Sequence, residues 1–338
     1  MSRSWMPVLF GLCLCVLGLA MYHWMTRPLA ALGTVPSKLV DVPEGTSFRQ
    51  VAALLEREGI IANRWAFLLL GKMTMADRRI RAGEYALDAG MRPRAILADM
   101  QSGRVVRHQM TIPEGYTAAQ IADLLEQKGL ASRSEFLRLV HDRTFIRSLN
   151  LEAASLEGYL FPDTYRFSRH TQPRDLVTAM VDELWQAFTP ELRTRAREVN
   201  MTPHQVLTLA SLIEKETSVG VERPLISSVF HNRLRRRIPL QSDPTVIYGI
   251  TDFNGNLTKR DLAVASPYNT YRVAGLPPGP IASPGADSIR AALYPAATSY
   301  LYFVSRNDGT HKFSSTLVEH NRAVEKYQPL LIRRKKAG

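Results

Sequence analysis

The chain predicts an α+β protein in three parts: an N-terminal transmembrane helix, a small α/β module, and a larger mixed α+β domain with a glutamate near the end of a helix. Three observations carry that expectation. An uncharged apolar run, MPVLFGLCLCVLGLAMYHWM, begins at Met6 and spans about twenty residues, enough for one bilayer crossing. A repeat follows, with DVPEGTSFRQVAALLEREGII from Asp41 matching TIPEGYTAAQIADLLEQKGLA from Thr111 and placing Pro43 and Pro113 in register. The C-terminal half then alternates helix-period segments with one long stretch of turn residues.

Composition narrows the function classes. With 338 residues, 45% hydrophobic and 22% charged, the chain is globular and has room for two domains with cores. A formal net charge of +12 points to an anionic partner: nucleic acid, a membrane surface or an acidic polymer. The basic residues cluster only in RLRRR, Arg233 to Arg237, and RRKK, Arg333 to Lys336. No RNP-like aromatic signature, zinc-finger spacing or Walker loop accompanies them, so no nucleic-acid partner is expected. Both cysteines, Cys13 and Cys15, fall inside the apolar run. The rest of the chain therefore holds no disulfide, thiolate metal site or cysteine nucleophile.

Residues 1–28 read as a membrane anchor with a short cytoplasmic end. Trp5, Tyr22 and Trp24 stand where interfacial aromatics belong, and Arg3 and Arg27 flank the span. The apolar core is long, no small-x-small site follows it, and neither cysteine is preceded by the small residue of a lipoprotein signal, so the anchor is expected to be retained. Residues 29–40 are a linker. Residues 41–108 form the small module: a strand, a Pro-Glu-Gly turn and an amphipathic helix closed by Gly59, then a strand at RAGEYAL and a helix from Met91 to Gly103. A strand-helix-helix-strand unit of this size is similar to a LysM module, a fold that binds N-acetylglucosamine-containing glycans.

Residues 109–338 form the larger region, its core at about 172–338. The second repeat copy closes at Gly129. LEGYLFPDTYRF, Leu156 to Phe167, is an aromatic turn suited either to packing sugar rings or to burying tyrosines between elements. A helix is expected over about 172–188. Another starts at Pro203, with Thr202 as N-cap and Gln205 completing a capping box, and ends before Gly220. A following helix carries LISSVFHNRL. In SDPTVIYG, Asp243 is the expected N-cap and Pro244 the first helical residue. SPYNTYRVAGLPPGPIASPG, from Ser266, is a long loop of a length that compact domains keep for function. A helix stopping at Pro295, a hairpin about Asn-Asp-Gly and a last helix from about Thr316 complete the chain.

The helix from Pro203 carries EKET, with two glutamates about 160° apart around its axis. Both flank the apolar stripe of Val206, Leu209, Ala210 and Ile213, so projection does not choose between them. Glu216 lies nearer the helix end, where the dipole and partial burial raise a carboxyl pKa toward what a general acid needs. Glu214 reads as a solvated flank, paired with charges one turn away. The alternative, that both are surface charges, stays open on these grounds.

Four motifs together, ASLIEKET from Ala210, QSDPTVIYG from Gln241, YNTY from Tyr268 and GLPPGPI from Gly275, resemble the YceG-like endolytic murein transglycosylases. The likeness covers the anchor, the LysM-like segment and nearly all of the C-terminal half. Soluble lytic transglycosylases and goose-type lysozymes carry their catalytic glutamate in a Glu-Ser pair at a helix end, and by similarity Glu216-Thr217 is that pair. Ser242 and Pro280 are positions where variation is tolerable.

The resemblance implies non-hydrolytic cleavage of the bond between N-acetylmuramic acid and N-acetylglucosamine within a strand. Glu216 would protonate the glycosidic oxygen, then take the proton from the muramyl C6 hydroxyl as a 1,6-anhydro ring closes. A muramidase-type hydrolase would use a second carboxylate, with Glu222, Asp243 and Asp261 as candidates. A non-catalytic glycan-binding scaffold for cell-wall synthesis is the third reading. Thr217, Glu222, Gln241, Asp243, Asn269 and Tyr271 are the supporting or substrate-binding candidates. His204, His231, His311 and His320 lack metal-site spacing, and no metal or organic cofactor is implied. The expected partners are peptidoglycan glycan strands, the cytoplasmic membrane and, by family, a bifunctional penicillin-binding protein. The expected location is the inner membrane, single-pass, with the C-terminal part in the periplasm.

Overall fold

The structure, a computed structural model, describes residues 6–31 and 36–328. Arg3, Trp5, part of the linker and the RRKK run lie outside the described residues, as does the side chain of Trp24. The chain divides into two compact units, one of residues 1–109 and 166–171, the other of residues 110–165 and 172–338.

The first unit begins with helix α1, Met6–Thr26. Among the described residues no helix is long and apolar enough to cross a membrane. Strand β1, Lys38–Val42, follows, and then helices α2, Phe48–Arg57, and α3, Arg64–Met73. Strand β2, Gly83–Leu87, pairs antiparallel with β1, Val40 opposite Tyr85, and helix α4, Pro93–Ser102, comes after it. The order strand-helix-helix-strand is therefore present with α3, which was not expected, as its second helix, and the helix expected from Met91 to Gly103 is α4, after the second strand. RWAFLLLGKM is nearly continuously apolar in its middle, so its period is weak; its start is fixed by Asn63, whose side chain accepts from the N–H groups of Trp65 and Ala66. Val40, Val42, Leu55, Phe67, Tyr85 and Ile96 form the core.

Strand β3, His108–Thr111, leads into helix α5, Ala118–Gln127, then α6, Arg133–His141, and α7, Arg143–Ser148; the last two were not expected. Strand β4, Thr164–Phe167, pairs with β3. Helices α8, Pro173–Ala187, and α9, Pro190–Glu198, precede the central helix α10, Pro203–Glu216. Then come α11, Arg223–Arg235, α12, Asp243–Tyr248, and α13, Ala286–Leu293, followed by hairpin strands β5, Tyr302–Ser305, and β6, His311–Ser314, and the last helix α14, Leu317–Tyr327. No helix or strand forms in the turn-rich loop 266–285.

Every residue of α10 from Val206 to Ile213 is buried, because α9, α11, α12 and α13 pack around it. Two polar residues in that stretch are satisfied: Thr208 Oγ1 donates to the His204 carbonyl, and Ser211 Oγ donates to the Thr208 carbonyl while accepting the Ile281 N–H. The second bond ties the long loop to the helix. Gly158, at φ 77°, faces the same loop; a Cβ there would lie 2.2 Å from Pro280, so only glycine fits the turn. Tyr159, Phe161 and Tyr165 of the aromatic turn are buried, which makes them core and not a surface on which sugar rings stack.

Candidate active site

The capping box at Thr202 and Gln205 fixes where α10 begins, and its last helical residue is Glu216. Thr217 adopts an extended conformation, φ −149° and ψ 139°, and its buried hydroxyl accepts the Val219 N–H. Thr217 thus shapes the exit from the helix, and the chain turns away three residues before Gly220. Glu216 is partly exposed, at the wall of a cavity of about 480 Å³ that Arg233, Gln241, Asp243, Tyr271 and His311 also line.

Ser242 Oγ donates to Glu216 Oε1 at 2.5 Å. Burial pushes the Glu216 carboxyl up to about 7, the nearby Asp243 charge adds to the rise, and the Ser242 hydroxyl and the Arg233 guanidinium oppose it. Burial, more than the helix dipole, is the main cause. A carboxyl so placed is poised to give and take a proton near neutral pH.

Asp243 is not the N-cap of α12. Ser242 holds that position, and neither side chain bonds the helix end. Ser242 turns instead to Glu216, and Asp243 Oδ1 accepts the Tyr271 hydroxyl at 2.5 Å. The sequence pattern marks a helix start correctly, but tertiary partners outcompete the local cap. Tyr271, half-buried, has its phenol pKa raised by burial and by this carboxylate. Gln241, at φ 54°, donates its N–H to the Thr270 carbonyl and accepts from Arg233 Nη1 through Oε1. Asn269, fully buried, gives its amide to the Leu262 and Val264 carbonyls and accepts the Tyr271 N–H. Asn269 frames the loop that presents Tyr271; it does not line the cavity. Glu222, also buried, accepts from the His311 N–H and bonds Nδ1 of that ring, each within 2.8 Å, so it supports a residue of the cavity wall. Asp261, the remaining hydrolase candidate, is bonded to Thr258 and does not line the cavity.

Glu214 is not on a solvated flank. Its side chain is only 6% exposed, Oε1 lies 3.3 Å from Arg223 Nη2, and Oε2 accepts the Gly285 N–H. Arg223 also reaches Glu114 and Asp287, so four charges from distant parts of the sequence meet there. The helix turns its two glutamates into two different environments.

Arg233 and His311 line the cavity but were not singled out as site residues, and Ser242 was set aside as tolerant. Arg233 sits in the basic run, yet it is 7% exposed: Nε donates to the Leu301 carbonyl, Nη1 to those of Pro239 and Leu240, and the guanidinium lies over Tyr302. The available signal was spacing, since Ile226, Val229, Phe230 and Arg233 share one helical face. Among the described residues no group of three or more His, Cys, Asp or Glu side chains is placed to hold a metal ion.

Residues 40–326 match the profile of the YceG-like family. The chain is 36% identical to an endolytic murein transglycosylase of Bacillus subtilis strain 168 over 304 residues, covering 85% of this chain and 84% of the relative. It is 32% identical over 320 residues to an endolytic murein transglycosylase of Streptococcus pneumoniae D39, covering 85% of this chain and 58% of that protein. The crystal structure of a YceG-like protein from Listeria monocytogenes is similar with a TM-score of 0.60 and 35% identity, covering 85% of this chain and 98% of the other.

Proposed function

The chain belongs to the YceG-like family, and from that premise we infer that it is an endolytic peptidoglycan transglycosylase in which Glu216 is both acid and base. The observation that carries the residue assignment is the position of Glu216, alone of its two neighbouring glutamates, in a cavity with its carboxyl raised to about 7. Protonated Glu216 gives its proton to the glycosidic oxygen as positive charge develops at the muramyl anomeric carbon. The carboxylate so formed removes the proton from the C6 hydroxyl, whose oxygen bonds to that carbon and closes a 1,6-anhydro ring. Both steps keep the proton count of the enzyme unchanged over one turnover, and no water is consumed. Ser242 orients the carboxyl, and Arg233 steadies it once it is charged.

Asp243 in the same cavity favours one second reading, a muramidase in which it directs water to the opposite face of the sugar. Mass spectrometry of digested glycan strands separates the two: anhydro-muramyl ends support the transglycosylase, and reducing ends carrying water oxygen replace it with the hydrolase. If purified protein cuts nothing, the chain is a glycan-binding scaffold.

Helix α1 is the membrane anchor in this reading. It is 21 residues long, about 31 Å at 1.5 Å per residue, against a hydrocarbon core of about 30 Å, and its described leucine, valine and phenylalanine side chains are exposed. A short linker then keeps the enzyme at the periplasmic face of the inner membrane, where new strands emerge and a bifunctional penicillin-binding protein is the natural partner. Units 41–108 act as a LysM-like glycan-binding module, supported by the order β1-α2-α3-β2. Membrane fractionation of the full chain and of a chain lacking residues 1–28 tests the anchor; co-purification tests the partner.

A further inference from the structure

Helix α3 has two apolar faces, and only one of them meets the core. Phe67 and Leu70 are buried in the first unit. Trp65, Leu69 and Met73, each four residues from the next, share the other face and are 60%, 44% and 62% exposed, and Met75, just past the helix, is exposed as well. Among the described residues outside α1 and the linker, every other exposed large apolar side chain stands alone or beside one neighbour in sequence. Single residues of that kind are ordinary on a protein surface, whereas a contiguous stripe marks a binding face. Because Phe67 and Leu70 are committed to the core, α3 cannot roll to bury the stripe.

Charge indicates what covers it. Between Gly59 and Gly83 the only acid is Asp77, against Arg64, Lys72, Arg78, Arg79 and Arg81. Lys72, Arg78 and Arg79 are exposed, and none of the three makes an ion pair among the described residues. An apolar stripe edged by unpaired cations is the pattern of a helix lying in the interface of an anionic membrane, and tryptophan is the side chain favoured at that depth. A second copy of this chain would bring the same cations to the same face, on a molecule of formal charge +12, and repel.

Helix α1 supplies the position. Its large apolar side chains from Val8 to Met21 are exposed. It packs on α3 and α4, and Arg94 Nη1 donates to the Tyr22 hydroxyl at 3.3 Å. Arg27, Pro28 and Leu29, just beyond α1, line a small cavity with Ala66 and Phe67 of α3. The two exposed apolar surfaces therefore belong to helices in contact within one unit.

We propose that the Trp65-Leu69-Met73 face of α3 lies in the lipid interface of an anionic membrane, beside the entry point of α1, with Lys72, Arg78 and Arg79 at the headgroups. The proposal takes its placement from the anchor reading of α1. A single helix leaves the module free to swivel about the anchor; a second contact fixes which face it turns to the lipid.

The test uses the full chain in vesicles of phosphatidylglycerol and phosphatidylethanolamine, with and without bromine on the acyl chains, which quenches tryptophan on contact. Subtracting the emission of Trp65→Phe from that of wild type isolates Trp65 from Trp5, Trp24 and Trp185. That emission should lie at short wavelength and be mostly lost on bromination. Leu69→Glu with Met73→Glu, both at exposed positions, should return it to long wavelength and protect it from bromine. In phosphatidylcholine alone the loss should be smaller, and an equal loss overturns the assignment of the cations to anionic headgroups. Long-wavelength, unquenched Trp65 in wild type overturns the proposal. Short-wavelength emission that bromine leaves untouched overturns it too, and gives the face to a protein partner or a second copy. Alkaline carbonate extraction reports α1 separately: a chain that resists extraction with Trp65 unquenched keeps the anchor and loses the proposal, whereas quenching in a chain that carbonate strips keeps α3 on lipid and removes the anchor.

Discussion

Glu214 and Glu216 stand two residues apart on one helix, and their surroundings differ in kind. Glu214 is buried with a countercharge and a backbone donor, Arg223 and the Gly285 N–H. Glu216 is placed with a hydroxyl donor, a neighbouring carboxylate and an opening to solvent. The first arrangement sets the carboxylate against a countercharge and a loop N–H and serves the fold. The second leaves a carboxyl near its titration midpoint at neutral pH, as the proposed proton transfer requires. Burial without a close ion-pair partner raises a carboxyl, as it does at Glu157 too; what sets Glu216 apart is its opening into the cavity that Asp243 and Tyr271 also line.

Glu216→Gln tests that contrast most severely. It should lower strand cleavage by about a thousandfold or more, since one group performs both proton transfers, with an unchanged melting transition; cleavage by this variant near the wild-type rate would break the comparison. Glu214→Gln should do the reverse. It leaves Arg223 short of its most buried partner and should cost about 2–3 kcal/mol in denaturant unfolding, with cleavage per folded molecule retained. Ser242→Ala should reduce cleavage about tenfold, the worth of one hydrogen bond to a charged group. Because the hydroxyl favours the carboxylate, its loss raises the Glu216 pKa further. Wild-type cleavage should decline as pH rises through about 7, where the acid loses its proton, and Ser242→Ala should shift that decline to higher pH.

A last expected effect concerns the pH dependence of stability. Glu157 and Glu216 both have folded-state values near 7 against an ordinary value of 4.5. Between those limits the folded chain holds protons that the unfolded chain has released, so stability falls as pH rises across the window. Glu157→Gln keeps an acceptor for the Ala118 N–H and removes one titration, and should make the decline shallower in unfolding curves recorded from pH 4.5 to 7.5.

The two repeat copies show how far the sequence reaches. Both helices have the capping box their sequences announce, Ser47 with Gln50 and Thr117 with Gln120, and both end before a glycine of positive φ, Gly59 and Gly129. Their turns have different fates. No atom lies within 4 Å of a Cβ built on Gly45, whereas one on Gly115 would touch Glu214 and Lys215, and Glu114 beside it joins Arg223. Nothing within either copy announces that difference.

The sequence by itself determined the elements whose signals act over a few residues: the start of α10 at Thr202, the turn-rich loop, the hairpin and the start of α14. It also singled out Glu216, through helix-end position and motif. Only the tertiary structure decided that Glu214 meets Arg223, that Ser242 bonds Glu216 instead of capping α12, and that Arg233 belongs to the cavity and not to a basic surface. Caps and periodicity are local. The environment of a charge is made by groups 26 and 71 residues away, as with Ser242 on Glu216 and Gly285 on Glu214, and exists only once the chain has closed around it.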